Sequence, residues 1–252
     1  MKVSLITVSY NSKNTISQTI ESVSSQTCNN IEYIVIDSCS NDGTQEILRE
    51  YEDHIDHLII EKDKGIYDAM NKGINASTGD LIGIINSDDF YKDNNVISKV
   101  VEFAENNQKI DAILSNVSFI NKDKAVIRKI SSKNFKHWML RFGWMPPHPG
   151  IFLTRKIVDK IGLYDTSYSI AADFEYCVRL FSLYKVNYSY LGINSVLMRE
   201  GGISTKGIRS NLIITREMLK ALGSHNIYSN TIILLLRLPI KLLMKFLSRI
   251  KK

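Results

Sequence analysis

Two adjacent carboxylates, Asp88 and Asp89, follow an apolar run in the segment IINSDDF. Carboxylate oxygens at a strand end can hold a hard divalent cation and leave coordination positions open for diphosphate oxygens. The alternative is an acidic turn that caps the next helix. Asp37 closes the run IEYIVID and precedes SCSNDGT; there it can accept hydrogen bonds from a nucleobase or ribose, whereas Asp42 reads as a helix cap. In EKDKGIYDAMNKG, Lys64 can meet phosphate charge and Gly65 lets backbone approach a ligand, with Asp68 counted on the same donor side. A solvated charged loop is the other reading of that stretch. Asp173, in SIAADFEYCVRL, either caps a helix or acts as a base that takes a proton from an attacking hydroxyl, with Glu175 as its competitor. His148 in PPHPGIF, and Gly202 and Ser204 in GGIS, are further candidates for the acceptor or phosphate side. A lone histidine is more often structural.

These groups need a frame that brings them together. Apolar, β-branched runs at 3–8, 31–36, 58–60 and 81–85 read as strands, and stretches ending near 25, 51 and 76 read as helices between them. That alternation predicts a mainly parallel sheet with helices on its faces. Ligands of such sheets bind beyond the carboxyl ends of the strands, so the polar groups at 9–11, 37–42 and 86–89 converge on one edge. The convergence favours the metal reading of Asp88 and Asp89. Further on, the spacing predicts a helix to about 106, strands at 112–115 and on to 130, and a rigid proline-rich loop at 145–149. Helices follow at 155–161 and 173–184, then strands at 186–191 and 194–198. Neither a glycine-rich dinucleotide fingerprint nor a GxxxxGK[ST] loop follows the first strand, which argues against hydride transfer and P-loop chemistry.

At 252 residues with 44% hydrophobic and 23% charged content, the chain can bury a large core. Its net charge of +6 is unevenly placed, since ten basic residues face one acid, Glu217, from Thr205 onward. The rest is net acidic, which excludes a nucleic-acid-binding core and points the tail at an anionic surface. Cys28, Cys39 and Cys177 lack metal or redox spacing and suit a reducing cytoplasm. The amino terminus carries no signal-peptide pattern, and no run is long and apolar enough to span a bilayer. From residue 231 the chain reads TIILLLRLPIKLLMKFLSRIKK, with Arg237, Lys241, Lys245 and Arg249 every four residues. That pattern predicts an in-plane amphipathic helix on anionic headgroups, kinked at Pro239, or else a helix packed on protein.

Taken in order, SLITVSYN, IVIDSCSNDGT, KGIYDAMNKG, NSDDFY and PHPGIFLTRKIVDKIGLYD…IAADFEYCVRL resemble the family 2 inverting glycosyltransferases of the GT-A fold, over about residues 3–205. The likeness is greatest to small bacterial members that build cell-surface polysaccharides. It implies that Thr7, Ser9 and Asn11 border the nucleotide and that Asp37 contacts the base. It further implies that Asp88 faces the ribose, that Asp89 ligates Mg²⁺ or Mn²⁺, and that Asp173 is the base. The family's acidic neighbour of that base is here Ala172, and its QxxRW signature is absent, which implies transfer of a single sugar. The resemblance thus predicts a GT-A domain over 1–222, and the charge pattern predicts a basic membrane-associating tail over 223–252. It predicts a nucleotide-diphosphate sugar donor, UDP-linked by preference, and a lipid-linked glycan acceptor at the cytoplasmic face of the membrane. A nucleotidylyltransferase would want a glycine-rich first loop, absent from YNSKNT. A non-catalytic nucleotide-sugar-binding scaffold would not need Asp37, Asp88, Asp89 and Asp173 together.

Overall fold

The computed structural model describes residues 1–200 and 207–237 of the chain. Gly202, Ser204 and the tail beyond Arg237 lie outside the described residues. Strands β1 (Val3–Ser9), β2 (Ile31–Asp37), β3 (His57–Ile60) and β4 (Leu81–Ile84) alternate with helices α1 (Ile16–Ser24), α2 (Thr44–Glu50) and α3 (Ile66–Ala76). All three pairings within this half, β1 with β2, β1 with β4 and β2 with β3, are parallel. The second half adds β5 (Phe90–Tyr91), α4 (Val96–Glu105), β6 (Ala112–Ile120), β7 (Val126–Ile130), β8 (Ile151–Thr154) and α5 (Arg155–Ile161). It closes with α6 (Ala172–Val178), β9 (Tyr188–Arg199), α7 (Gly207–Ser224) and α8 (Thr231–Leu235). The sheet runs β3-β2-β1-β4-β8-β6-β9-β5, with β7 pairing the far half of β6. It becomes mixed past β4, because β8 is antiparallel to both β4 and β6 while β9 is parallel to β6.

Period-two alternation sorts the strand side chains onto two faces. Ile6, Val8, Ile34 and Ile36 pack with α3, α5 and α6 in one core. Val3, Leu5, Tyr33 and Val35 pack with α1 and α4 in the other. Contact is tight enough that a Cβ on Gly73 of α3 would come within 2.3 Å of Ile6, so this helix lies directly on β1.

Three elements depart from expectation for local reasons. The two strands anticipated at 186–191 and 194–198 are one strand, β9. Its register against β6 jumps from Leu114↔Tyr190 to Asn116↔Asn194, and Gly192 at φ 82° absorbs the extra residues. The helix anticipated at 173–184 is α-helical only to Val178 and then widens into a π-turn over Arg179–Leu183, where the Tyr184 N–H donates to the Arg179 carbonyl at 2.9 Å. Strand β5 has two residues, too few to register as a pattern, yet it pairs with Leu197 and Val196 of β9. Past residue 222 the chain still packs on the domain. Leu234 is fully buried in the core formed with α3, α5 and α6. Arg237, the first cation of the anticipated headgroup stripe, is also buried, with its guanidinium donating to Thr215 Oγ1 at 3.1 Å. Arg237 therefore leaves that stripe, and the tail reading concerns the residues beyond it.

Candidate active site

The turns after β1, β2 and β4 are stitched to each other at the carboxyl edge of the sheet. Asn11, at φ 50°, donates its N–H to Ser40 Oγ (2.8 Å) and accepts from the Asn41 N–H through Oδ1 (3.1 Å). The Ser12 N–H donates to Thr44 Oγ1 (2.8 Å), while the Ser12 and Ser87 hydroxyls bond at 2.7 Å. Asp42 accepts from the N–H groups of Lys13 (3.2 Å) and Thr44 (3.1 Å) and so braces the turn, but the N-cap of α2 is Gly43 and not Asp42.

Two residues anticipated at the nucleotide are turned inward. Thr7 is fully buried on the α1 face, where its hydroxyl accepts from Tyr33 OH at 3.0 Å. Asp37 is also fully buried, and both its oxygens are taken by Ser40, through the N–H (2.8 Å) and the hydroxyl (2.6 Å). Its carboxylate shapes the turn that presents Ser38–Ser40. Ser9 and Asn86, at the ends of neighbouring strands, behave differently: Ser9 Oγ and Asn86 Oδ1 are buried without a hydrogen-bond partner. Orphaned polar atoms at a strand edge are what a ligand would satisfy.

Asp88 is half-buried and Asp89 is 1% exposed. Asp89 accepts from Asn86 Nδ2 at 3.1 Å, and its carbonyl takes the Thr19 hydroxyl at 2.7 Å. Burial raises the pKa of both carboxyls, Asp89 well above the usual range, with the charge of Asp88 adding to the effect. Arg199 opposes this from the end of β9, donating to the Asp88 carbonyl at 3.1 Å and bonding the Gln18 side chain. Two close carboxylates disfavoured by burial gain from a cation between them. Among the described residues no cluster of three or more His, Cys, Asp or Glu could hold a metal. Two carboxylates could hold a hard divalent cation only if substrate oxygens and water supplied its remaining ligands.

The third acid reaches the same edge through α3. Tyr67, in the first turn of α3, donates its hydroxyl to the Ile170 carbonyl at 2.5 Å and lies 3.5 Å from Asp173 Oδ1. One helical turn later, Asn71 clamps Tyr164 by a reciprocal pair, Nδ2 to its carbonyl (2.9 Å) and Oδ1 from its N–H (2.8 Å). Glu217 of α7 holds the other side of this loop, accepting from the N–H groups of Ser169 (2.7 Å), Ile170 (3.0 Å) and Ala171 (2.9 Å). Asp173 then projects from the start of α6, half-buried, with Oδ1 accepting the Phe174 N–H at 2.8 Å. Burial pushes its carboxyl up to about 6, against the lowering effect of the Phe174 N–H. It lines a small, mostly apolar cavity with Ile82 and Ile84 of β4, His148 and Tyr164. A carboxylate poised near neutral pH suits proton abstraction.

The competitors are otherwise engaged. Glu175 is buried and gripped by Arg179 Nε (2.8 and 3.1 Å), Arg179 Nη2 (2.9 Å) and His225 Nε2 (3.0 Å). It is a packing ion pair on the inner face of α6, so its assignment to the acceptor side is corrected. His148 bonds the Tyr164 hydroxyl at 2.7 Å, and burial lowers its pKa to about 4. It is thus a neutral ring lining the same cavity as Asp173 and carries no charge for phosphate. Lys64 is exposed, and Gly65 has φ 123°, a conformation that favours glycine. Asp68 accepts the Lys64 N–H at 2.9 Å, so its carboxylate braces this turn.

Four residues given no site role by the sequence reading shape the site: Tyr67, Asn71, Arg199 and Glu217. Tyr67 and Asn71 stood one helical turn apart inside KGIYDAMNKG, a signal for one working helix face. Glu217 had a plainer signal as the lone acid in a basic stretch. Glu217→Ala is expected to lower stability by about 1–2 kcal/mol, read as a reduced thermal midpoint, with a larger fractional loss in turnover than in nucleotide affinity.

This architecture is that of the GT-A glycosyltransferases. The fold matches Staphylococcus aureus TarS 1-349 in complex with UDP-GlcNAc at TM-score 0.70 and 16% identity, covering 88% of this chain and 66% of that one. It also matches the mannosyltransferase PcManGT from Pyrobaculum calidifontis, in complex with GDP-Man and Mn²⁺, at TM-score 0.62 and 15% identity, covering 89% and 64%. The chain belongs to Glycosyl transferase family 2, whose sequence pattern matches residues 4–170. A PGL/p-HBAD biosynthesis glycosyltransferase of Mycobacterium bovis is 28% identical over 214 residues, 81% of this chain and 77% of that protein. An uncharacterized glycosyltransferase of Mycobacterium tuberculosis is 31% identical over 182 residues, 70% of this chain and 68% of its own length.

Proposed function

We propose that this enzyme transfers one sugar from a nucleotide-diphosphate sugar, UDP-linked by preference, to a lipid-linked glycan acceptor, with inversion at the anomeric carbon. The observation that carries the reading is Asp173, a half-buried carboxylate whose pKa burial raises to about 6 and which lies 3.5 Å from the hydroxyl of Tyr67 in the first turn of α3. Asp173 takes the acceptor hydroxyl proton while the oxygen attacks the face opposite the leaving diphosphate, so no covalent enzyme intermediate is needed. Ser9, Asn11, Lys64 and Gly65 border the donor, with Asp88 on its ribose side. Asp89, with Asp88, would hold Mg²⁺ or Mn²⁺, whose charge offsets that of the departing diphosphate. The TarS complex with UDP-GlcNAc and the PcManGT complex with GDP-Man and Mn²⁺ support the donor class and the metal. The mycobacterial relative named for PGL/p-HBAD biosynthesis supports a glycolipid-type acceptor.

Among the described residues no helix is long and apolar enough to cross a membrane. In this reading the chain meets the bilayer from one side, at the inner face of the cytoplasmic membrane, through the basic tail beyond Arg237. The test is transfer from a panel of UDP- and GDP-sugars to membrane lipid extracts, with and without chelator. Metal-dependent release of nucleoside diphosphate is expected. Failure of every donor, with metal and extract present, would sink the proposal.

A further inference from the structure

Two stretches of this chain lack acidic residues altogether, Lys124 to Val158 and Met218 to Lys252. Such segments are far apart in sequence, yet the fold brings them into contact. The Ser229 hydroxyl donates to the Arg141 carbonyl at 2.8 Å, and the Arg141 guanidinium lies 5.4 Å from the centre of the Tyr228 ring. A Cβ on Gly143 would lie 3.2 Å from Leu234, so α8 sits against the end of the 3₁₀ turn His137–Phe142.

Large apolar side chains on both segments face water. In the turn, Trp138 is 58% exposed and packs edge-on against Phe142 at 6.0 Å. On α8 and at its C-cap, Ile232, Leu235 and Leu236 are exposed at helical spacing while Leu234 points into the core. Tyr228, 68% exposed, lies between the two. Single exposed apolar residues are ordinary, but a contiguous group marks an interaction surface. Lys133, Lys136 and Arg141 stand exposed around this one. The chain leaves it at Arg237 toward a segment with five further cations, Lys241, Lys245, Arg249, Lys251 and Lys252.

We propose that the turn His137–Phe142 and the outer face of α8 form a docking surface for an anionic bilayer, with Trp138 and Phe142 inserted at the headgroup level. Exposed tryptophan in a basic, acid-free setting has the chemistry of that interface, where an amphipathic ring meets both acyl chain and headgroup. The inference rests on the membrane-bound acceptor reading and adds to it that the catalytic domain, besides its tail, contacts lipid. Docking through this face would fix the orientation of the domain on the bilayer.

The test uses the full chain in flotation with vesicles of phosphatidylglycerol and phosphatidylcholine, or phosphatidylcholine alone. Four proteins are compared: wild type, Trp138→Ser with Phe142→Ser, a tail variant with Lys241, Lys245 and Arg249 changed to Glu, and Trp144→Phe. The last leaves Trp138 as the sole tryptophan. The turn substitutions are expected to lower partition onto anionic vesicles about tenfold, and Trp138 fluorescence in Trp144→Phe should be quenched by brominated lipid. Both turn residues are surface-exposed, so the circular dichroism spectrum and thermal midpoint should stay near wild type. If wild type floats, the tail variant does not, and the turn variant matches wild type with Trp138 unquenched, the docking face is overturned and the tail reading survives. Absence of wild-type binding to any vesicle overturns both. A lipid-independent dimer that the turn substitutions dissolve, with no quenching of Trp138, would reassign the surface to self-association.

Discussion

Asp89→Asn should lose about 10²–10⁴-fold in transfer rate, the factor that corresponds to several kcal/mol of transition-state charge stabilisation. The fold should survive the change, since asparagine is nearly isosteric and its Oδ1 can still accept the Asn86 amide that Asp89 now accepts at 3.1 Å. Stability should even hold or rise without metal. Burial and the neighbouring charge of Asp88 both disfavour ionised Asp89, and a neutral side chain removes that repulsion. The measurements are turnover with saturating Mg²⁺ or Mn²⁺ and a thermal melt in chelator. Full activity of the variant, or of wild type after exhaustive chelation, would remove the metal from the account.

Asp173→Asn should bind nucleotide normally and transfer about 10²–10⁴-fold more slowly, because donor binding and proton abstraction are separate tasks. The wild-type rate should also depend on pH in a particular sense. The base acts only when ionised, and its carboxyl is pushed up to about 6 by burial. Turnover should therefore be near its plateau at pH 7 and above, and fall as pH drops through about 6. This limb should be absent from the residual activity of Asp173→Asn. Glu175→Gln serves as the contrast. It should unsettle the fold, because it leaves Arg179 and His225 without their shared carboxylate. A well-folded, inactive Glu175→Gln beside an active Asp173→Asn would show that the wrong carboxylate carries the proton.

The parallel half of the fold was readable because its strands are apolar on both faces and end in polar turns. The convergence of 9–11, 37–42 and 86–89 followed from topology alone, and the bonds Ser12–Ser87 and Asn11–Ser40 realise it. Side-chain direction was harder to read. Thr7 shares the period-two face of Leu5, and Asp37 is caught by a hydroxyl three residues on, a local competition that residue type does not reveal. The loop before α6 was illegible for a different reason. Its geometry is set by Tyr67, Asn71 and Glu217, partners 46 to 106 residues away in sequence. Glu175 looked equivalent to Asp173 in the sequence. Helical phase separates them, since one faces the edge and the other faces Arg179.

The stereochemistry of the first product tests the account most directly. With a nucleotide sugar of known anomeric configuration and an accepted acceptor, proton NMR of the linkage formed in early turnover reports the configuration before any rearrangement. A single displacement with Asp173 as base predicts inversion, an α-linked donor giving a β-linked product. Retention of configuration would contradict it, because retention requires two displacements or a front-face path rather than a single displacement.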